Sequence, residues 1–170
     1  GLLRCPSDCS RKRSGKTSIA FGALRSRFES ARNWARYSGD QNTGADVDLP
    51  DHVDTLIEAA LTALRSDDFS SCEARTTQAL SKLAPGDSRV PMLLSVRGTA
   101  RIHSDVTAGI ADMKEAVRIA PDDWNVQLAL GEALLSLNFY RDAEAPLTKA
   151  AKLSGGQPDV LASYCQCLLK

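Results

Sequence analysis

The sequence has little of what catalysis and metal binding usually require. Its 170 residues include only two histidines, His52 and His103, and neither has a second ligand at metal-like spacing. Aromatic residues make up 5% of the chain, and no apolar run approaches the ~20 residues that cross a bilayer as a helix. The five cysteines (Cys5, Cys9, Cys72, Cys165, Cys167) are odd in number and form no regular framework. With no secretory leader in view, the expected state is reduced thiols in an intracellular, cytoplasmic setting. Cys5, Cys9, Cys165 and Cys167 have the ligand count for zinc, but Cys-x3-Cys with Cys-x-Cys is loose spacing, and the plainer reading makes Cys165 and Cys167 residues of a helix.

Phosphate chemistry is missing as well. Gly15-Lys16-Thr17-Ser18 has the end of a phosphate loop, yet Ser10 stands where its first glycine belongs and no apolar strand precedes it. The acid pairs Asp67-Asp68 and Asp122-Asp123 fall at turns, where short carboxylates cap helices. His103 reads as a surface or groove residue. No active site assembles from these groups, so the chain is read as non-enzymatic, with no cofactor and no metal.

What the sequence does have is a repeat. Leu83-Ala84-Pro85-Gly86-Asp87 returns as Ile119-Ala120-Pro121-Asp122-Asp123, and again as Leu153-Ser154 followed by Pro158-Asp159, a period of about 36 residues. From Trp124 to Ser154 the register is sharpest. Leu130, Leu134 and Leu137 share one helical face, Gly131 leaves room for a neighbouring helix, and the turn comes at Asn138. Ala143, Leu147, Ala150 and Ala151 repeat the three-and-four spacing before Gly155-Gly156 ends the second helix. Pro146 is expected to be tolerated only if that helix starts near Arg141 or Asp142, which keeps the ring close to the first turn.

In these residues the chain resembles the tetratricopeptide repeat (TPR) family. Trp124, Leu130, Gly131, Leu134, Ala143, Leu147 and Ala150 match its pattern in order. Leu94, Gly98, Ala100, Asp105, Met113, Ala116 and Pro121 carry a second copy, with one residue missing in the turn near Ser104 and Gly109 where the family prefers Ala. A third copy runs from about Val53 through Leu56, Ala59, Ala60, Ala63, Phe69, Cys72, Ala79, Leu80 and Pro85, departing at Cys72 for Ala and at Thr76 for a large apolar residue. The resemblance implies an all-α, right-handed superhelix, an α-solenoid of about three helix hairpins (near 53–86, 91–123 and 124–157) with a final helix over 159–170, in a repeat domain spanning 46–170.

It also implies where binding falls, on the concave groove made by the first helix of each hairpin. The residues expected there are Asp54, Ile57, Leu61 and Arg65, then Met92, Ser95, Thr99 and His103, then Asn125, Leu128, Glu132 and Ser136. A mixed floor of this kind suits an extended peptide or a helix from another protein, the partner expected of a scaffold or adaptor. Self-association is a second expectation, and packing of the groove against another helix of the same chain a third. Some relatives grip acidic chaperone tails through a clamp of Lys, Asn and Arg. The matching places here hold Ile57, Leu61, Val96, Asn125 and Ala129, so that clamp is essentially absent.

Charge divides the chain. Residues 1–39 carry nine basic and two acidic side chains, residues 40–170 twelve and nineteen, a net of about +7 against about −7. Within residues 1–45, Ile19, Leu24, Phe28, Ala31 and Ala35 are spaced as one face of a helix flanked by Arg25, Arg32 and Arg36. This Arg- and Ser-rich segment reads as a poorly ordered basic arm or a helix that docks on the acidic body; an organellar transit peptide and a tether to nucleic acid or an anionic membrane compete with that reading. Nucleic acid is the less favoured partner, and steep salt dependence would reveal it. Because the first residue is not Met and the last helix has no partner helix, the chain is expected to be a fragment of a longer array, and a regulatory piece of a larger enzyme is a further alternative.

Overall fold

The structure is a computed structural model that describes residues 51–169. The basic segment with its helical spacing, the phosphate-loop-like tetrapeptide, and Cys5 and Cys9 lie outside the described residues. Among those described there are seven α-helices and no strands: α1 Asp51–Arg65, α2 Phe69–Lys82, α3 Val90–Arg101, α4 Val106–Ile119, α5 Trp124–Ser136, α6 Tyr140–Leu153 and α7 Pro158–Leu168. Three antiparallel hairpins, α1/α2, α3/α4 and α5/α6, stack in chain order, and α7 closes on α6. The odd-numbered helices also touch one another in succession, α1 to α3 to α5 to α7, so they form one wall of an α-solenoid.

The turns explain the hairpins. Asp67 and Asn138 both take left-handed backbone, with φ of 59° and 64°, at matching places in the first and third hairpins. Asx side chains tolerate that conformation better than others. The middle turn is one residue shorter, and it closes without a left-handed residue: Asp105 N–H donates to the Arg101 carbonyl at 2.7 Å and Ser104 N–H to the same oxygen at 2.9 Å. Each second helix but the last starts on an aspartate cap, since Asp68 accepts from Ser71 N–H and Asp105 from Ala108 N–H, both at 3.0 Å. Asp123 caps α5 through Asn125 N–H at 2.8 Å. Both acid pairs therefore divide their labour, with Asp68 and Asp123 as caps while Asp67 makes the turn and Asp122 pairs with Lys149.

Packing inside the hairpins accounts for the departures from the repeat pattern. A Cβ on Gly131 would come within 2.5 Å of Leu147 Cγ, so the glycine seats the leucine of α6. Gly98 and Gly109 face each other: a Cβ on either would sit 2.7 Å from the other's carbonyl oxygen. The backbones of α3 and α4 cross in contact there, which is why glycine replaces alanine at 109. In the first hairpin the same place holds buried Cys72. Thr76 is also buried, and its hydroxyl donates within its own helix, 2.7 Å to the Cys72 carbonyl and 3.0 Å to that of Glu73, so a polar residue occupies an apolar position without an unmet donor.

Helix α6 begins at Tyr140, one residue before the expected start, and Pro146 lies in its second turn, close to the first as the sequence required. Pro146 is buried, as are Ala143, Leu147 and Ala150 of the same helix, and that burial offsets the backbone hydrogen bond the helix loses.

Candidate partner-binding groove

The wall of α1, α3 and α5 places the candidate residues in one row, and their burial divides them sharply. Ile57, Leu61, Met92, Ser95, Thr99, Leu128 and Glu132 are all buried, with at most 8% exposure. Arg65, Asn125 and Ser136 are half-buried, while Asp54 and His103 are exposed. The row thus has a covered floor of apolar and polar residues with accessible margins. In α5 every residue from Val126 to Leu135 is buried, and in α3 every residue from Pro91 to Val96. Ten consecutive helical residues point in every direction around the axis, so along that length α5 has no solvent-facing side.

Polar groups of the floor are engaged. The Ser95 hydroxyl donates to the Pro91 carbonyl at 3.0 Å and Thr99 to the Ser95 carbonyl at 2.9 Å. Glu132, 2% exposed, accepts from the Ser163 hydroxyl at 2.7 Å, which links the floor to α7. At the margins, Asn125 Nδ2 donates to Asp123 at 3.2 Å, Ser136 to the Ala133 carbonyl at 2.7 Å, and Arg65 Nε to the Leu61 carbonyl at 3.3 Å. The His103 ring stacks on Phe69, centroids 3.6 Å apart and 10° from parallel. Burial of the ring lowers its pKa from the usual histidine value, outweighing the attraction of Asp67. A neutral imidazole is the form this stack holds near pH 7.

Sequence reasoning missed the ionic scaffold behind the groove. Arg97 grips Asp112 with two bonds, at 2.8 and 2.7 Å, and Arg101 joins the same carboxylate at 3.1 Å to Glu73 at 2.8 Å. One arginine pair therefore ties α3 to α4 within a hairpin and to α2 across the seam between hairpins. Arg89, paired with Asp87 and 3.0 Å from Asp54, does the same for the start of α1. The only signal in the sequence is an acid at a buried register of α4, which one chain alone does not mark as a partner of Arg97.

The described residues hold no cluster of three metal-ligating side chains, and none of their helices is long and apolar enough to cross a membrane. Cys165 is exposed on α7, whereas the Cys167 thiol is buried and donates to the Tyr140 carbonyl at 3.2 Å.

No family model matches the sequence, and no curated protein matches it. Solved structures do match its fold. The Sgt2 TPR domain from Aspergillus fumigatus is similar with a TM-score of 0.61 and 22% identity, over 69% of this chain and 78% of that one. The Arabidopsis OM64 TPR domain gives 0.58 and 16% over 69% and 94%. The first TPR of Spaghetti (RPAP3), bound to the HSP90 peptide SRMEEVD, gives 0.58 and 14% over 69% and 90%. The described part of the chain has the tetratricopeptide-repeat fold.

Proposed function

We propose that this chain is a non-catalytic scaffold that holds a segment of another protein along the wall of α1, α3 and α5. The observation that carries the reading is the composition of that wall: Ile57, Leu61, Met92 and Leu128 form a covered apolar floor, while Arg65, Asn125 and Ser136 leave half-exposed polar groups at its accessible margins. Apolar anchors with a polar rim are what a helix or extended peptide needs for affinity and register. The TPR fold, which in the RPAP3 structure holds a peptide, supports the same reading.

The partner is not an acidic tail of the SRMEEVD kind. Such a peptide brings several carboxylates, and this wall meets them with Ile57, Leu61, Val96 and Ala129 and with the buried carboxylate of Glu132. Carboxylates placed there lose their water without gaining a cation. SRMEEVD is therefore expected to show no saturable binding to the full chain by calorimetry up to about 1 mM, the weak end of the affinity scale; micromolar binding would sink the assignment of the wall as apolar.

A photoreactive amino acid at Ser136 tests the groove itself, with Ala145 on the outer face of α6 as control. The reading requires adducts with another polypeptide at Ser136 and none at Ala145. Equal labelling at both positions, or none at either, overturns it.

A further inference from the structure

We propose that α7 is the contact through which two copies of this chain pair, laid antiparallel about a two-fold axis at Cys165. The pairing uses the outer side of α7 and stands apart from the groove of α1, α3 and α5.

Helix α7 repeats the first helix of a hairpin. Counted from the first residue of each helix, Val160 and Cys167 fall where Val126 and Ala133 fall in α5, and all four are buried. In that register Tyr164, Cys165 and Leu168 hold the places of Leu130, Gly131 and Leu134, the side on which Gly131 seats Leu147 of α6. On α7 this side faces solvent: Leu168 is 56% exposed, and Cys165 is exposed as well. The inner side is engaged, since the Ser163 hydroxyl donates to Glu132 of α5 and the Cys167 thiol to the Tyr140 carbonyl of α6. The helix is therefore apolar on two sides, and only one of them meets the stack.

Spacing, size and charge say what fits the open side. Leu161, Ala162, Cys165, Leu168 and Leu169 are all exposed and form one stripe in helical register. Leu161 and Ala162 stand four and three residues before Cys165, and Leu168 and Leu169 three and four after it, so the stripe keeps its spacing when its direction is reversed. A second α7 running antiparallel sets Leu161 of each copy against Leu169 of the other and Ala162 against Leu168, a small residue beneath a large one. Such a self-complementary patch is what a two-fold contact requires. At the axis the size also matches. Gly98 and Gly131 admit Met113 and Leu147 because they carry no side chain. Cys165 fills that space in α7, so the residue opposite it has to be small, and a second Cys165 is. From Pro158 to Leu169 the sole charged residue is Asp159, in the first turn and away from the axis, so the two copies bring no like charges to the centre. One helix face is a small contact, in the class below ~1,200 Å² that supports weak association. The pair is therefore reversible, and Cys165 is open to reagents at dilution.

Sedimentation velocity of the full chain under reducing conditions, from about 5 µM to about 1 mM, reads the pairing. The mass is expected to rise with concentration from 18.3 kDa toward twice that value. Leu161→Asp/Leu168→Asp, at two exposed positions, is expected to weaken association by about tenfold or more while keeping the parent's circular dichroism, because each copy would bring carboxylates to an apolar contact. Ala145→Asp, on the outer face of α6, is expected to leave association unchanged. A parent that stays monomeric throughout overturns the proposal, as does a dimer that survives the double variant or weakens equally in Ala145→Asp. A short bismaleimide added to the parent locates the contact without any substitution. Cys165 joined to Cys165 of a second copy is the expected product; Cys165 joined to Cys5 or Cys9 of the same chain assigns the open side to the chain's own first residues and overturns the pairing.

Discussion

At Gly98 the chain has no room for a methyl group, because the atom it would strike is a carbonyl oxygen fixed in α4. Alanine normally gains about 1 kcal/mol over glycine inside a helix, but forced overpacking costs about 1–3 kcal/mol, and a backbone oxygen cannot swing aside as a side chain can. Gly98→Ala is therefore expected to lower stability by about 2 kcal/mol in urea denaturation. Gly86→Ala meets open space at φ +100° and loses only the left-handed strain, about 1 kcal/mol. Equal losses at the two sites would mean that the helices do not cross so closely. Cys72 offers a chemical counterpart. Its thiol, buried beside Asp68 and Glu73, has its pKa pushed up to about 12, first by desolvation and then by those two charges. Since the thiolate is the reactive form, iodoacetamide at pH 8 should label exposed Cys165 in the native protein and leave Cys72 unmodified until denaturant is added; labelling of Cys72 at a comparable rate would show that the hairpin opens.

Among the elements, the helices α4 and α2 depend on single carboxylates at their starts. Asp105→Ala should cost about 1 kcal/mol in thermal unfolding while Asp105→Asn stays within a few tenths, because the cap is an acceptor for Ala108 N–H and asparagine keeps it. Equal losses from both would point to charge, not the hydrogen bond. The elements were also the most legible part of the sequence. Period, glycine and turn residues marked every hairpin because each local signal, such as Asn138 at the turn or Gly131 beneath Leu147, acts within one helix pair. Pro146 placed the start of α6 to within one residue, because a ring that removes a backbone hydrogen bond is tolerated only near a helix's beginning. The groove was legible as a row and illegible as a surface. Repeat register says which residues point toward the concave side, but burial of Ser95, Thr99 and Glu132 depends on what lies across from them, which no position within a repeat encodes. The arginine ties to Asp112 were hidden because an acid on α4 does not by itself mark which arginines of α3 it meets.

For the molecule as a whole, acid should act twice and in one direction. His103 has a folded pKa below its ordinary value of 6.5, so the unfolded chain binds its proton first and stability falls as pH drops from about 6.5 through the folded value. Asp68, Asp87 and Glu115 are held below their ordinary values by hydrogen bonds, from Ser71, Arg89 and Arg118 respectively. Their contribution is present above about pH 4 and is lost as pH falls through the depressed folded values. Urea midpoints taken from pH 8 to pH 3 should decline in two stages, the upper one absent in His103→Gln; a midpoint that rises between pH 7 and pH 5.5 contradicts the assignment. A linear stack also has no single core to melt at once, so its parts separate in sequence. The crossing of Gly98 and Gly109 puts the closest backbone contact in the middle hairpin, and the arginines beside it fasten that hairpin to its neighbour. The array therefore comes apart from its ends inward, and the central pair is the last to release its amide protons to solvent and the natural seed from which the stack regrows.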